Sequence, residues 1–259
     1  MSTPEVPTPY VTATTVSDFQ ANISAVRERI AAAARSVDRD PAEVSLLPVS
    51  KTVSEERIRT AVAAGLTRLG ENKVQEAERK ATNLADLGVE WVVIGHLQRN
   101  KAKDVARFAT EFQALDSLRL AETLDRRLQL EGRGLDVLVQ VNTSAEPQKY
   151  GLAPEEVADF LNKLTPYQSL RVKGLMTLAE FTSDTERVRE CFITLRTLRD
   201  QLRDNVPAGI ELSELSMGMS GDYELAIQEG ATIVRVGQAI FGPRSTPDSF
   251  YWPDSPSSS

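Results

Sequence analysis

The chain has 259 residues, of which 41% are hydrophobic and 26% charged, and 30 Lys and Arg against 37 Asp and Glu leave a net charge of −7. That balance suits a globular α/β protein and lacks the basic stripe of a nucleic-acid binder. A single cysteine, Cys191, and a single histidine, His96, exclude an internal disulfide and a metal site built from several Cys or His ligands.

Residues 1–15 are rich in Pro and Thr and read as a disordered tail without the basic-then-apolar pattern of a signal peptide. Ser17-Asp18 is placed to cap a helix running to about Val37, with Phe19, Ile23, Val26 and Ile30 on one face. From there the pattern alternates. Strand-like runs fall at 44–51, 68–72, 90–96, 111–117, 136–143, 172–178, 211–218 and 232–242. Helical patterns fall between them at 54–64, 73–87, 100–108, 118–130, 154–164, 184–203 and 220–229. Pro48 weakens the first strand, because a proline removes a ladder donor. Pro154 suits a helix start, and Gly65, Gly88 and Gly230 stand where helices should end.

Eight strands alternating with helices predict parallel strands joined by crossovers, and the length fits a single (β/α)8 barrel spanning 16–244 with an extra N-terminal helix. An open, doubly wound sheet is the alternative, though no Gly-rich dinucleotide fingerprint follows the first strand. The Ser-rich segment 245–259 reads as a C-terminal tail. No apolar run is long enough to cross a membrane, and a reducing cytoplasm is the expected location.

In such a barrel the site lies at the carboxyl ends of the strands. Lys51 ends the first apolar run, where a lysine is either solvated or held for chemistry. Ser216-Met217-Gly218-Met219-Ser220 leaves a strand and enters a helix. Its small residues permit close backbone approach, and the helix start offers free N–H groups to a phosphate. Asp222 competes for that role, and Ser220 alone would also serve as a helix cap. Arg235 interrupts the apolar run Val234-Arg235-Val236, so it either pairs with a carboxylate or faces a ligand, and Gly237 beside it lets backbone come close. A lysine amine, a phosphate seat and an inward arginine together suit a phosphorylated aldehyde held as a Schiff base. Met176, Met217 and Met219 are available as soft packing for a ring. Cys191, beside Phe192 in a helical stretch, reads as core. His96 reads as a hydrogen-bonded loop residue.

Several motifs then stand together: Pro48-Val49-Ser50-Lys51, Gly70-Glu71-Asn72, Ile94-Gly95-His96-Leu97-Gln98-Arg99-Asn100-Lys101, Val141-Asn142-Thr143, Gly174-Leu175-Met176, Leu215-Ser216-Met217-Gly218-Met219-Ser220 and Val234-Arg235-Val236-Gly237. In this order, from about residue 17 to 244, they resemble the pyridoxal phosphate homeostasis protein family. The resemblance implies the alanine-racemase-like barrel of fold-type III enzymes without their second, β-rich domain. It implies pyridoxal 5′-phosphate bound to Lys51, Asn72 beside its ring, and Arg235 facing the pyridine nitrogen. It places the phosphate on Ser220 and on backbone N–H groups near Gly237 and Gln238. Two positions depart from the pattern. Trp91-Val92 stands where relatives carry a histidine after the Trp, and Gln238 stands where a small hydroxyl residue is common.

The implied role is to buffer or deliver the cofactor inside the cell, with no turnover of its own. Pyridoxal phosphate-dependent apoenzymes are the expected recipients, nucleic acid and membrane are not expected partners, and the expected state is a monomer. A small amino-acid racemase or lyase is the alternative. Arg235 weakens the electron sink, since a guanidinium cannot accept the ring proton, but the resemblance implies that fold-related racemases share this feature, so it restricts the chemistry without excluding them. Racemisation also needs a base on each face of the α-carbon. Tyr150 is the only tyrosine placed near the mouth, and it reads equally well as an exposed turn residue. Lys149 beside it is a candidate second amine for handling the cofactor, or a solvated lysine.

Overall fold

The computed structural model describes residues 10–144, 146 and 149–243. After α1 (Val16–Arg35) the chain runs β1 (Ser45–Pro48), α2 (Glu55–Ala63), β2 (Arg68–Glu71), α3 (Val74–Asn83), β3 (Glu90–Val93), α4 (Ala102–Phe108), β4 (Glu111–Leu115) and α5 (Leu118–Leu130). It continues through β5 (Leu135–Gln140), α6 (Val157–Leu164), β6 (Leu170–Met176), α7 (Thr185–Leu202), β7 (Glu214–Ser216), α8 (Tyr223–Gln228), β8 (Ile233–Val236) and α9 (Gln238–Phe241). The strands pair in parallel in the order β1-β8-β7-β6-β5-β4-β3-β2. The two ends of that order meet at a bridge between Val49 and Gly70, where Ser50 N donates to Gly70 O at 3.0 Å. The alternation therefore closes into a (β/α)8 barrel, and the open-sheet alternative falls away.

Pro48 does lie in β1, and the closure explains why it is tolerated. Ser45 N donates to Thr232 O and Val49 N to Val236 O, so the odd-numbered residues of β1 serve β8. The donor missing at Pro48 belongs to the side facing β2, where pairing is reduced to a single bridge. Several expected strands are shortened, most of all those over 44–51, 211–218 and 232–242. β1 ends at Pro48, leaving Lys51 in a turn beyond it, and the run expected over 232–242 stops at Val236. There the backbone breaks at Gly237 and the single turn of α9 follows.

The predicted start of α1 moves by two residues. Thr15 is the cap: its hydroxyl accepts from Asp18 N at 3.2 Å, and Asp18 returns the bond to Thr15 N at 2.9 Å, a closed capping box. Residues 1–9 of the expected N-terminal tail and all of the expected C-terminal tail, 245–259, lie outside the described residues, as does residue 244 at the end of the expected barrel. Residues 10–15 are anchored. Ala13 is fully buried, and its carbonyl accepts from Arg57 Nε and Nη2 at 3.0 and 2.8 Å.

α1 buries Phe19, Ile23, Val26 and Ile30, each contributing about 1.5–3 kcal/mol of transfer free energy. Phe19 meets Phe241 edge-on at 5.6 Å, Asn22 donates to Ile240 O at 3.0 Å, and Arg29 pairs with Glu224 at 2.9 Å. The helix expected as an extra element thus covers α8 and α9. It fills the outer position that a single turn after β8 leaves open.

Candidate functional site

Residues paired across parallel strands share a face, and side chains alternate along each strand. Arg235 pairs with Leu47 and Ser216 with Ile233. The Arg235 guanidinium reaches Ser216, so this face is the barrel interior. Alternation carries it from Leu47 to Val49 and Lys51, and from Gly70 to Asn72. Glu71 and Ser50 therefore point outward, toward α3.

Lys51 is only 8% exposed. Of the two roles open to it, solvated or held, burial favours the second. It occupies a turn closed by Val53 N to Ser50 O at 3.0 Å. The next residue, Thr52, has φ +68°, a left-handed conformation that a β-branched residue rarely adopts. Asn72, half-buried, follows β2 at the same level. Its carbonyl lies so close to Gly95 that an added Cβ would sit 2.1 Å away, so only glycine fits there.

Arg235 is buried, and it pairs with no carboxylate among the described residues. Its Nη1 donates to Ser216 Oγ at 2.6 Å and its Nη2 to Thr177 O at 2.7 Å. Burial pushes the guanidinium down to about 10, with Asp222 opposing the shift, so it is still a cation at neutral pH. The Ser216 hydroxyl in turn donates to Gln113 Oε1 at 2.6 Å, and Gln113 Nε2 donates to Glu111 at 2.5 Å. Glu111 pairs with Arg68 at the barrel floor. This polar chain fixes the arginine from below.

Ser220 does not cap α8, which begins three residues later. Its Oγ accepts from Gly237 N at 3.1 Å and so joins the loops after β7 and β8. Asp222 precedes α8 and does not lie in its first turn; its Oδ1 accepts from Met219 N at 2.5 Å and makes no capping bond to the helix. Burial raises the Asp222 carboxyl above its usual range. Gly218 has φ +90°, and an added Cβ would meet Ala226 Cβ at 2.5 Å. Gln238 opens α9. Lys51, Asn72, Met219, Ser220, Arg235, Gly237 and Gln238 are thus brought to the ends of four neighbouring strands, β7, β8, β1 and β2.

His96, Tyr150 and Lys149 occupy a different arc of the rim. His96 stacks on Tyr150 at 3.8 Å and 12°, with Nδ1 3.5 Å from Asp116 Oδ2. Tyr150 is exposed, and Lys149 Nζ donates to Ala179 O at 3.2 Å. Met176 and Met217 are fully buried, as is the helix face carrying Cys191.

Sequence reading missed the groups behind Lys51. Lys80 is fully buried and donates to Ser50 O at 2.9 Å, Glu71 Oε1 at 2.7 Å and Glu76 Oε1 at 2.7 Å. One signal was available: Lys80 follows Val74 and Ala77 at three-residue steps on the buried stripe of α3. The supports of Arg235, Ser216 and Gln113, come from strands far apart in sequence, and no spacing marks them.

The family model described as the alanine racemase N-terminal domain matches residues 21–245. A Pseudomonas aeruginosa protein named pyridoxal phosphate homeostasis protein is 41% identical over 229 residues, covering 88% of this chain and 97% of its own. PipY of Synechococcus elongatus, solved with PLP bound, superposes with a TM-score of 0.76 at 35% identity, covering 86% of this chain and 100% of PipY. Alanine racemase of Corynebacterium glutamicum shares the fold with a TM-score of 0.66 at 14% identity, over 92% of this chain and 64% of the enzyme.

Proposed function

The chain belongs to the pyridoxal phosphate homeostasis proteins, a family built on the alanine racemase N-terminal domain, and from that premise we propose that it binds pyridoxal 5′-phosphate and buffers or delivers it. The observation that carries this reading is the buried Lys51 at the mouth, one strand away from a buried arginine that has no carboxylate partner among the described residues. The residues present fit the cofactor. A buried primary amine stands at the mouth, a buried cation lies on the neighbouring strand, and Ser220 at the junction with Gly237 carries a hydroxyl able to donate to an anion. Pyridoxal phosphate supplies an aldehyde that an amine captures reversibly and a ring that withdraws electrons when its nitrogen is protonated.

In this assignment Lys51 captures the aldehyde. Asn72, held by its close approach to Gly95, borders the ring, with Met219 packing nearby. Ser220 and the backbone near Gly237 and Gln238 take the phosphate. Arg235, a cation held from below by Ser216, faces the ring nitrogen and disfavours its protonation. The names of the relatives support a carrier over a catalyst. Delivery to apoenzymes in a reducing cytoplasm, by a monomer, completes the proposal. Among the described residues no helix is long and apolar enough to cross a membrane.

The test is reconstitution. Protein incubated with pyridoxal phosphate turns yellow, borohydride fixes a phosphopyridoxyl group on the peptide carrying Lys51, and Lys51→Ala abolishes both. Protein that stays colourless and takes up no cofactor overturns the reading. Exchange of amino-acid α-protons in heavy water, lost with Lys51→Ala, overturns the carrier role in favour of catalysis.

A further inference from the structure

Ser50 and Thr52, the neighbours of Lys51, are both held by a buried charged cluster on the outer side of the barrel. Ser50 Oγ donates to Glu71 Oε1 at 2.6 Å, and Ser50 O accepts from Lys80 Nζ at 2.9 Å. Thr52 N donates to Glu76 Oε1 at 2.9 Å. Lys80 joins the two carboxylates at 2.7 Å each. Three side chains of α3 and β2 thus grip a three-residue segment from the side opposite the mouth.

Two features mark this cluster as more than ordinary packing. The first is strain: Thr52 holds φ +68°, which for a β-branched residue persists only where surrounding bonds impose it. The bond from Thr52 N to Glu76 is such a constraint. The second is cost. Lys80 and Glu71 are fully buried, Glu71 Oε2 has no hydrogen-bond partner among the described residues, and burial pushes the Glu71 carboxyl up to about 7. A buried ion pair contributes little net stability compared with apolar side chains of the same volume. A carboxylate oxygen left unpaired makes the balance worse.

We propose that Lys80, Glu71 and Glu76 are positioning residues that lock the strained Ser50–Thr52 turn and so aim the Lys51 amine across the mouth. None of them faces the mouth; each acts through the backbone or hydroxyl of Ser50 or the amide of Thr52. The proposal rests on the assignment of Lys51 as the cofactor-holding residue. Its chemical content is that α3, an outer helix, sets the presentation of the amine by hydrogen bonds as well as by packing. An acceptor at Glu76 is the requirement, whereas its charge is not.

Glu76→Ala and Glu76→Gln separate the two, because Gln keeps a side-chain oxygen for Thr52 N and Ala does not. Dissociation constants for pyridoxal phosphate come from absorbance titration, and borohydride trapping gives the yield on Lys51. Thermal unfolding of the cofactor-free proteins is the control for stability. Glu76→Ala weakens binding by about tenfold or more through misplacement of the amine, Glu76→Gln restores most of it, and the melting temperatures of the two remain alike. Lys80→Met gives the same loss where it folds. Equal binding by Glu76→Ala and Glu76→Gln, whether both unchanged or both weakened, overturns the proposal. Wild-type protein that binds no cofactor overturns the functional assignment instead, so the two failures are distinguishable.

Discussion

Arg235 shows how one residue narrows the chemistry. It is a buried cation whose two observed bonds go to neutral oxygens, Ser216 Oγ and Thr177 O. Burial lowers its pKa to about 10 without discharging it near neutrality. A carboxylate in its place would favour a protonated ring nitrogen. Arg235→Glu is therefore expected to change the absorbance spectrum of the bound cofactor, and a spectrum identical to wild type would displace Arg235 from the ring nitrogen. Thr52 makes the complementary point. Its positive φ is invisible in the sequence, because Thr normally signals extended backbone. The acceptor supplied by Glu76, 24 residues further on, helps hold the conformation, together with the local bonds from Val53 N to Ser50 O and from Thr52 Oγ1 to Lys51 O.

At the level of elements, the periodic signals were legible. α5 occupies Leu118–Leu130, the span its pattern predicts, because Leu120, Leu124 and Leu128 recur on one buried face. The ends after β7 and β8 were less legible. Three-residue β7 and single-turn α9 are too short for a period to register, so 211–218 and 232–242 each read as one run. Arg57 ties such short pieces together. From α2 it donates to Ala13 O before α1 and to Phe241 O in α9. Arg57→Ala leaves two buried carbonyls without those donors and is expected to cost about 1–3 kcal/mol. Denaturant unfolding with an unchanged m-value checks it; a loss well under 0.5 kcal/mol, within the range of about ±0.5 kcal/mol typical of surface substitutions, would mean solvent replaces those bonds.

For the whole molecule, the barrel interior is graded. Its mouth holds Lys51 and Arg235, and its floor holds Glu111 and Glu214 with Arg68 and Lys173 as the nearby cations. Burial, and for Glu214 the neighbouring Glu111, raise both carboxyls, Glu214 to about 7. A carboxyl raised in the fold stabilises it below the unfolded value of about 4.3. That contribution is lost as pH climbs through the folded value. The melting temperature should therefore fall between about pH 5.5 and 8. Glu214→Gln should flatten that slope and raise the melting temperature at the alkaline end. Thermal melts of both proteins across the range test it, and parallel slopes would remove Glu214 as a source.

The sequence alone determined the repeat of eight strands and their helices, because hydrophobic periodicity is local and each unit is long enough to show it. It also placed Lys51 and Asn72 at strand ends, since a parallel barrel sends every carboxyl end to one face. The tertiary structure decided what holds those residues. Lys80, on a helix 29 residues from Lys51, enters the story only when α3 packs on β2 and brings its amine to the Ser50 carbonyl. Gln113 supports Arg235 through Ser216 only because strands 103 residues apart share one interior. Such contacts arise from closure of the barrel, and closure depends on pairing between distant segments, which leaves no mark at any fixed spacing along the chain.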